Sequence, residues 1–438
     1  MRFDFFRRAA AEETPAAEAA QGLAMPRNAE GFVAYTLLLD PHKRVAGYKL
    51  AWRAAARPEE APDAISQFKS LVACVTEHLN PPDTPWRLGR SELFFDVNAE
   101  LLALGALQSL PPEYTVLCVE LGDLANEELR PILHFLHEQG FSFMLCRAKA
   151  LPEDPELLGL VSHFDVGAGD PLLVAAARGK ELPDHMPIQP IATRMASWKD
   201  FEACAARRVD VFADASCGLP PPPAASTGSH ALQPESVLIM RLLQMIQRNE
   251  DLREIEAALK RDAALTYRLL RHMNSPAVGA GVEIHSLHHA VTMLGYSPLF
   301  RWLSLLLATS NPMGSPPFMM KKAIMRGRFV ELMGEIMLPR GESDNLFVVG
   351  MFSLIDQLLG IPMQEVLNKV QLSDSVQQAI LTRGGVYGPF LSLAEACELD
   401  TGEAARLAEA LLLSASQVNA AHLSALAWSQ DVIPAEAA

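Results

Sequence analysis

The chain has 438 residues, half of them hydrophobic, a formal net charge of −15 at pH 7 and a pI near 5.3. This length exceeds that of one ordinary domain, so we expect more than one hydrophobic core. Because so acidic a chain repels a nucleic-acid duplex at long range, we expect no nucleic-acid partner.

The first 28 residues are rich in Ala and Glu and show no hydrophobic period. They lack the apolar core of a signal peptide, so we predict a disordered tail over residues 1–28 in a cytoplasmic protein.

Residues 29–218 alternate strand-like and helix-like segments. A hairpin is predicted first, with its turn starting at Asp40–Pro41. Short strands follow in the segments ELFFDVN, YTVLCVEL, FSFMLCRA, HFDVGA, IQPIATRM and VDVFADA. In most of these runs apolar and polar residues do not alternate, which is typical of strands covered on both faces. Repeated β–α units of this number predict a TIM-like (β/α) barrel, whose functional residues lie at the C-terminal ends of the strands.

One helix of this half has a clear period. Apolar residues follow the spacing i, i+3, i+4, i+7 from Leu129 to Leu136. Asn126 is expected to cap its start, and Gly140 is expected to end it.

A run of four prolines at 220–223, followed by small polar residues, predicts a Pro-rich linker over residues 219–231. Residues 232–438 are helical in pattern throughout. Asp262 can cap one helix, and Ser286 can cap the next, which ends at Gly295. The apolar run near Trp302–Ala308 is far shorter than the roughly 20 residues of a membrane span, so we expect no membrane contact.

The predicted architecture is therefore multidomain, an α/β barrel followed by an all-α bundle of about ten helices.

Two groups of histidines have spacings that could suit a metal. His285 and His289 are four residues apart with His288 between them, and His134 and His137 are three apart. No acidic third ligand lies nearby in the sequence, and both groups fall largely on polar helix faces. We interpret all five as surface residues.

A run of cationic residues could form a local basic face. Lys321, Lys322, Arg326 and Arg328 lie within two helical turns. We interpret them as a solvated helix face. The six cysteines contain no C-x-x-C pair, so neither a zinc site nor a disulfide framework is expected.

The two halves resemble a bacterial signal-transduction tandem. In the second half, residues 262–276 (DAALTYRLLRHMNSP), 284–295 (IHSLHHAVTMLG) and 349–356 (VGMFSLID) resemble an HDOD domain, a helical relative of the HD and HD-GYP hydrolases. The first half resembles a degenerate EAL domain, the cyclic-di-GMP phosphodiesterase module. The chain is thus similar to the EAL–HDOD family, with an EAL-type domain over 29–218 and an HDOD domain over 232–438.

Carried over position by position, the resemblance implies that the EAL metal site is lost. The first strand of an active EAL site reads Tyr-Glu-Ala-Leu-x-Arg, where the Glu binds metal and the Arg contacts a phosphate. In the matching stretch, YKLAWR, Lys49 replaces the Glu and Arg53 retains the Arg. The remaining family positions fall on Asp96, Glu120, Cys146, Arg147, Asp165, Gly167, Ala196 and Ala213.

The resemblance implies the same loss in the second half. HD hydrolases bind metal through a His-Asp dipeptide in a helix of the form GLLHDIG. The matching residues here are Ser353 and Leu354, and the chain contains no His-Asp dipeptide.

Two-metal phosphodiester cleavage needs several carboxylates to hold both ions and to activate a water. Of the family's ligands at most Asp96 and Glu120 remain, while Lys49 and Arg147 place positive charge where the cations would lie. We therefore predict no enzymatic activity, no metal and no cofactor.

The predicted function is a non-catalytic signalling adaptor that acts through protein–protein interaction in cyclic-di-GMP-linked or two-component signalling. The resemblance implies a sensor kinase, a response regulator or a cyclic-di-GMP enzyme as partner. Two alternatives stay open. One is a catalytically dead cyclic-di-GMP receptor that binds through Arg53, Lys49 and Arg147.

The other alternative is a residual phosphodiesterase that uses Asp96 and Glu120. If no ligand binds, we expect Lys49 and Arg147 to form internal ion pairs with Asp96, Glu120 and Asp165.

Overall fold

A computed structural model describes most of the chain. The described residues are 31–55, 63–82, 84–179, 187–213, 234–273, 287–309, 316–339, 342–370, 372–399 and 402–432. The predicted tail over 1–28 and the predicted linker over 219–231 lie outside them.

Eight strands close into one barrel in the order β1 to β8. They are β1 (Gly31–Leu39), β2 (Val45–Ala54), β3 (Glu92–Asp96), β4 (Thr115–Glu120), β5 (Ser142–Cys146), β6 (Val161–Asp165), β7 (Gln189–Ala192) and β8 (Val211–Ala213). β1 runs antiparallel to both of its neighbours, and all other neighbouring pairs are parallel. The predicted hairpin, the later strands and the barrel are confirmed.

The turn of the hairpin is held by Asp40. Its Oδ1 accepts hydrogen bonds of 2.8 Å from the backbone N–H groups of His42 and Arg44. An Asp at the first position of a turn commonly bonds the backbone in this way.

Alternate residues of the strands fill the barrel, because successive side chains of a strand point to opposite faces. The buried cluster inside consists of Leu38, Phe94, Val116, Cys118, Met144, Ile191, Val211 and Ala213. Their neighbours, such as Leu93 and Phe95, belong to the larger core outside the barrel. The expectation that the strands are covered on both faces is thus confirmed.

The helices of the barrel half are α1 (Ala64–Leu79), α2 (Ala99–Leu102), α3 (Leu121–Leu124), α4 (Arg130–Glu138), α5 (Pro155–Leu160), α6 (Pro171–Arg178) and α7 (Trp198–Ala206). The predicted cap of α4 is wrong. Asn126 instead accepts a hydrogen bond of 3.0 Å from the N–H of Glu128 within a turn. The helix begins at Arg130, with Pro131 in its first turn, where a missing N–H is tolerated. Gly140, with φ 103°, follows its end as predicted.

The described part of the second half contains thirteen helices, more than the predicted ten or so. Several of the additional helices are single turns or short segments that a hydrophobic period does not separate. They are α8 (Pro234–Gln247), α9 (Leu252–Leu259), α10 (Ala263–Met273), α11 (Leu287–Leu294), α12 (Tyr296–Thr309), α13 (Pro317–Met337), α14 (Ser343–Phe352), α15 (Ile355–Leu359), α16 (Met363–Val370), α17 (Asp374–Thr382), α18 (Gly388–Leu399), α19 (Ala404–Ala410) and α20 (Ala415–Val432).

Two of the predicted helix ends in this half can be checked. Asp262 Oδ1 accepts a hydrogen bond of 2.9 Å from the N–H of Leu265, as expected of a cap. Gly295 follows α11 with φ 75°. Ser286 lies outside the described residues. No helix of the described residues is long and apolar enough to cross a membrane.

Helices α13 and α14 cross at two glycines. A methyl group on Gly350 would lie 2.7 Å from the carbonyl oxygen of Arg326 and 2.8 Å from Cα of Gly327. Such distances are too short for non-bonded atoms, so the crossing requires glycine at position 350.

The helical half covers the outer face of the β1–β2 hairpin. A turn joins these two strands, so no crossover helix lies between them to cover that face. Helices α18, α19 and α20 contact β1 instead. Asn419 of α20 accepts a hydrogen bond from the N–H of Val33 at 2.8 Å and donates one to the carbonyl of Gly31 at 2.9 Å. The two halves therefore share backbone hydrogen bonds as well as apolar contacts.

Candidate functional site

The first ion pair of the barrel mouth joins β2 to β3. Lys49 lies beside Phe94 in the parallel register, and Asp96 follows two residues along the same face of β3. Lys49 Nζ lies 2.7 Å from Asp96 Oδ1. Burial alone would lower the pKa of Lys49, but interactions with Cys118 and with the carboxylate of Asp96 outweigh burial and raise that pKa. Lys49 is therefore held as an ammonium.

A second ion pair joins β5 to β4. Arg147 follows β5 and contacts the carboxylate of Glu120 at the end of β4. Its backbone has φ 53°, a left-handed conformation that is uncommon for a residue other than glycine. In that conformation its N–H donates a hydrogen bond of 3.2 Å to Asp165 Oδ2. The side chain of Arg147 remains 77% exposed.

Asp165 has a structural role at the end of β6. Its Oδ1 accepts hydrogen bonds from the N–H of Gly167 at 2.8 Å and from Thr193 Oγ1 at 2.5 Å. Both of its oxygens are thus used to tie the loops after β5, β6 and β7 together. The ion pairs expected for Asp96 and Glu120 are formed, whereas Asp165 is bonded to the backbone rather than to the guanidinium of Arg147.

The other matched positions lie around the same mouth. Arg53 is exposed on β2 and shares the face of Lys49, four residues further toward the C-terminal end. Ala196 is exposed between β7 and α7, and Ala213 is buried at the end of β8. None of these three side chains can ligate a divalent cation.

The donor set does not suit two hard cations. Mg²⁺ and Mn²⁺ require oxygen ligands, and only Asp96 and Glu120 among the aligned positions offer carboxylates beside Asp165. Asp96 and Glu120 are each neutralised by a cationic side chain, and Asp165 is saturated by hydrogen bonds. The mouth is therefore not arranged for two-metal chemistry.

A third group of side chains at the mouth contains Asp96 and Cys146, which the resemblance placed there, and Cys118, which was missed from the sequence. Ligand atoms of Asp96, Cys118 and Cys146 all lie within 4.8 Å of one another. A hydrogen bond to Cys146, together with burial, holds the pKa of the Cys118 thiol well above its usual range. The sequence does contain a signal for Cys118. Alternate residues of a strand point to the same face, so Cys118 shares the face of Glu120 on β4 and points into the barrel.

The matched positions of the helical half lie in a buried network. The helix of the resemblance breaks there, since α14 ends at Phe352 and α15 begins at Ile355. Ser353 accepts a hydrogen bond of 2.8 Å from Arg326 Nη1 and donates one of 2.6 Å to the carbonyl of Gly350. Leu354 is buried in the core. A guanidinium thus contacts Ser353, the residue that the resemblance matches to the metal-binding His of HD hydrolases.

Arg326 is neutralised by Glu398. Its Nε and Nη2 donate hydrogen bonds of 2.8 and 2.6 Å to the two carboxylate oxygens. Burial would raise the pKa of Glu398, but Arg326 outweighs burial and lowers it. The side chains are only 5% and 2% exposed, so the pair is held in a region of low dielectric.

The solvated basic face expected on this helix is wrong. Lys321, Lys322 and Arg326 are buried, and Arg328 is half-buried. Lys321 Nζ donates to Gln430 Oε1 at 2.9 Å, and Lys322 Nζ lies 3.8 Å from Glu398 Oε2. Helix α13 is packed on nearly all sides, and its cationic groups form internal contacts rather than a surface.

The side chains of three of the five histidines predicted to lie at the surface are described, and only one of them is exposed. His134 is half-buried, His137 is exposed and His289 is half-buried. His285 and the side chain of His288 lie outside the described part of the chain.

Comparison with known proteins places a family in the helical half. Residues 232–369 match the family model of the HDOD domain. The second half therefore contains an HDOD domain, preceded by an eight-stranded barrel.

Two curated proteins are similar to the chain. One is the cyclic di-GMP phosphodiesterase CdgJ of Vibrio cholerae, 29% identical over 203 residues, which are 46% of this chain and 47% of that protein. The other is the uncharacterized protein YuxH of Bacillus subtilis, 25% identical over 199 residues, 44% of this chain and 48% of that protein. The chain spans about half the length of these relatives.

Solved structures give weaker likenesses. The calcium/cy-diGMP complex of BlrP1 from Klebsiella pneumoniae is 17% identical and covers 44% of this chain and 56% of its own, with a TM-score of 0.34. The PaMucR phosphodiesterase in its c-di-GMP complex is 13% identical and covers 46% of this chain and 93% of its own, with a TM-score of 0.33.

Proposed function

We propose that the chain is a non-catalytic signalling adaptor of the EAL–HDOD type, which acts through protein–protein interaction in cyclic-di-GMP-linked or two-component signalling. The HDOD match and the similarity to a Vibrio cholerae protein named as a cyclic di-GMP phosphodiesterase support this signalling context. The observation that carries the proposal is the pair of ion pairs at the barrel mouth, Lys49 with Asp96 and Arg147 with Glu120.

The physical reason is electrostatic. Asp96 and Glu120 each have a cationic partner, and Asp165 is held by hydrogen bonds. A pair of hard cations would therefore have to displace both partners and meet their repulsion. A water activated between two metal ions is the nucleophile of two-metal hydrolysis. Without a pair of hard cations, a water at the mouth is not activated in this way.

The helical half supports the same proposal from independent residues. Arg326 and Glu398 neutralise each other beside Ser353, at the position of the family's metal-binding His. Two hydrolase-like scaffolds that both carry internal ion pairs favour a role in binding rather than in catalysis.

Activity is tested with the full chain. Cyclic-di-GMP is incubated with the protein and Mg²⁺ or Mn²⁺, and linear dinucleotide is measured by chromatography. We expect none above the level of a Glu120→Gln variant. Turnover by the unaltered protein that disappears in Glu120→Gln would identify a residual phosphodiesterase and overturn the proposal.

The adaptor role needs a separate test. The full chain is used as bait in the native host, and captured proteins are identified by mass spectrometry and retested with purified components. We expect a sensor kinase, a response regulator or a cyclic-di-GMP enzyme that binds directly. Failure of every purified protein of these classes to bind would contradict the adaptor role.

A cyclic-di-GMP receptor is the second candidate, since the side chain of Arg147 is 77% exposed and Arg53 is exposed on the same mouth. Guanidinium groups bind phosphates through two parallel hydrogen bonds. Isothermal titration with the dinucleotide separates the candidates. Micromolar binding that is lost in Arg53→Ala and kept in the control Arg90→Ala favours the receptor, whereas the absence of heat at high protein concentration removes it.

A further inference from the structure

The two thiols at the barrel mouth are positioned by neighbouring strands. Cys118 lies on β4 and points into the barrel, and Cys146 is the last residue of β5. In the parallel register Cys146 is opposite Glu120, which is two residues beyond Cys118 on the same face. The thiols are therefore diagonal neighbours on one surface of the sheet.

Asp96 completes a set of three ligands. It lies opposite Cys118 in the register of β3 and β4. One ligand atom from each of Asp96, Cys118 and Cys146 lies within 4.8 Å of the other two. In a tetrahedral zinc site, with Zn–S near 2.3 Å, two sulfur ligands are about 3.7 Å apart, so closure needs side-chain shifts of only about 1 Å.

One member of this set already binds a cation. Lys49 Nζ is 2.7 Å from Asp96 Oδ1. The ammonium therefore lies against the carboxylate that would bind the ion. Because Lys49 is at the mouth and is 31% exposed, it can turn toward solvent when another cation arrives.

We propose that Asp96, Cys118 and Cys146 form a site for one thiophilic divalent ion, Zn²⁺, which displaces the ammonium of Lys49. Thiolates select Zn²⁺ over the hard cations, so this site differs in ligands and in metal from a site for phosphodiester cleavage. Sulfur also lies beneath it, since Met144 Sδ is 3.8 Å from Cys118 Sγ.

The proton balance follows from the ligands. Each thiol loses its proton to the solvent when its sulfur bonds to the ion, and the carboxylate of Asp96 binds without proton loss. Binding of one ion therefore releases two protons to the buffer. A water takes the fourth position at the open side of the mouth, where Asp96 is 70% exposed.

The site is tested on the full chain with Co²⁺ as a spectroscopic probe and with Zn²⁺ in competition against a chromophoric chelator. One equivalent of Co²⁺ should give thiolate charge-transfer absorption and the visible bands of a tetrahedral ion, both removed by Zn²⁺. Cys146→Ser should weaken Zn²⁺ binding by at least about 100-fold, since loss of even an outer-shell partner can cost that much. Lys49→Met should strengthen it by about tenfold or more, because it removes a positive charge from the site.

The matched control is Cys74→Ser, which removes a half-buried thiol on α1 and should leave binding unchanged. Circular dichroism before titration confirms that each variant is folded, and Cys146→Ala replaces Cys146→Ser if the latter does not fold. The proposal is overturned if the unaltered protein gives no charge-transfer absorption, or if Cys146→Ser binds as tightly as Cys74→Ser. It makes no use of phosphodiesterase activity, so it stands or fails independently of the adaptor role.

Discussion

The guanidinium of Arg326 donates two parallel hydrogen bonds to the carboxylate of Glu398, and both groups are almost completely buried. The same guanidinium also reaches Ser353, at the end of α14. Through these contacts one side chain of α13 holds together helices that are far apart in the sequence. Its loss would leave a buried carboxylate with no adequate partner.

We expect Arg326→Met to lower the free energy of unfolding by about 3–5 kcal/mol, the usual effect of breaking a buried ion pair. The double variant Arg326→Met, Glu398→Leu should recover part of this loss, since neither member of the pair remains as an unpaired charge, while Lys322 loses a carboxylate 3.8 Å away. Urea unfolding at neutral pH measures both. An unchanged midpoint for the single variant would contradict the prediction.

Lys321 is expected to make the stability of the fold depend on pH in alkaline solution. Burial lowers the pKa of Lys321 to about 8, against about 10.4 in an unfolded chain. Between these values the unfolded chain binds a proton that the folded chain does not, so stability rises with pH. We expect Lys321→Met to be more stable than the unaltered protein by up to about 3 kcal/mol below pH 8. Loss of the hydrogen bond to Gln430 reduces this gain.

The advantage of Lys321→Met should disappear above about pH 10.5, where the lysine is neutral in both states. Unfolding is followed at several pH values between 7 and 11. Lys260→Met, at an exposed position, is the control and should change stability little at any of them. A constant difference across the range would show that the ammonium is not the cause.

Acid should destabilise the fold through two histidines. Burial lowers the pKa of His163 and of His422 to about 4; for His422 it outweighs the opposing effect of Glu398. Below about pH 6.5 the unfolded chain binds protons that the folded chain does not, so stability falls as the pH drops from 6.5 to 4. Each histidine contributes a loss of up to about 3 kcal/mol.

We expect His422→Phe to make this acid-induced loss shallower, because the Phe ring can keep the stack on Phe329 without taking up a proton. Thermal melting between pH 4 and 7 measures it. His42→Gln, in an exposed turn, is the control and should follow the unaltered protein. If His422→Phe keeps the full acid sensitivity, protonation of His422 is not a cause of the loss.

Asn419 is expected to anchor β1. In Asn419→Ala the N–H of Val33 and the carbonyl of Gly31 lose their partner, and an unsatisfied buried group costs about 1–3 kcal/mol. Hydrogen exchange should show faster exchange of the Val33 amide. Asn368→Ala, which removes only an exposed contact with Gln364, is the control. Equal protection of Val33 in both variants would contradict the anchoring role.

Local patterns predicted much of this fold. Short apolar runs with turn residues between them were enough for the hairpin and the barrel, and the caps at Asp262 and Gly295 followed from local chemistry. The late start of α4 was not predicted, because Asn126 forms a turn that competes with the cap.

The contacts between distant segments could not be derived from local patterns. Arg326 looked solvent-exposed because its partner Glu398 is 72 residues away, and no period links the two. At the barrel mouth the pairing of Lys49 with Asp96 was expected, since the resemblance placed both residues at the EAL site. The resemblance placed Cys146 at the mouth, but Cys118 was missed because it was judged by sequence spacing rather than by strand face.

The cover of β1 has a consequence for synthesis on the ribosome. The N–H of Val33 has no access to its acceptor until Asn419, 386 positions later, has been synthesised. At about 5–20 residues per second this interval is on the order of 20–80 s. During that time the apolar outer side of the hairpin, with Tyr35 and Leu37, faces solvent or a chaperone. The outer side of β1 is thus covered only after the helix that bears Asn419 has been synthesised, and until then it stays accessible to other chains.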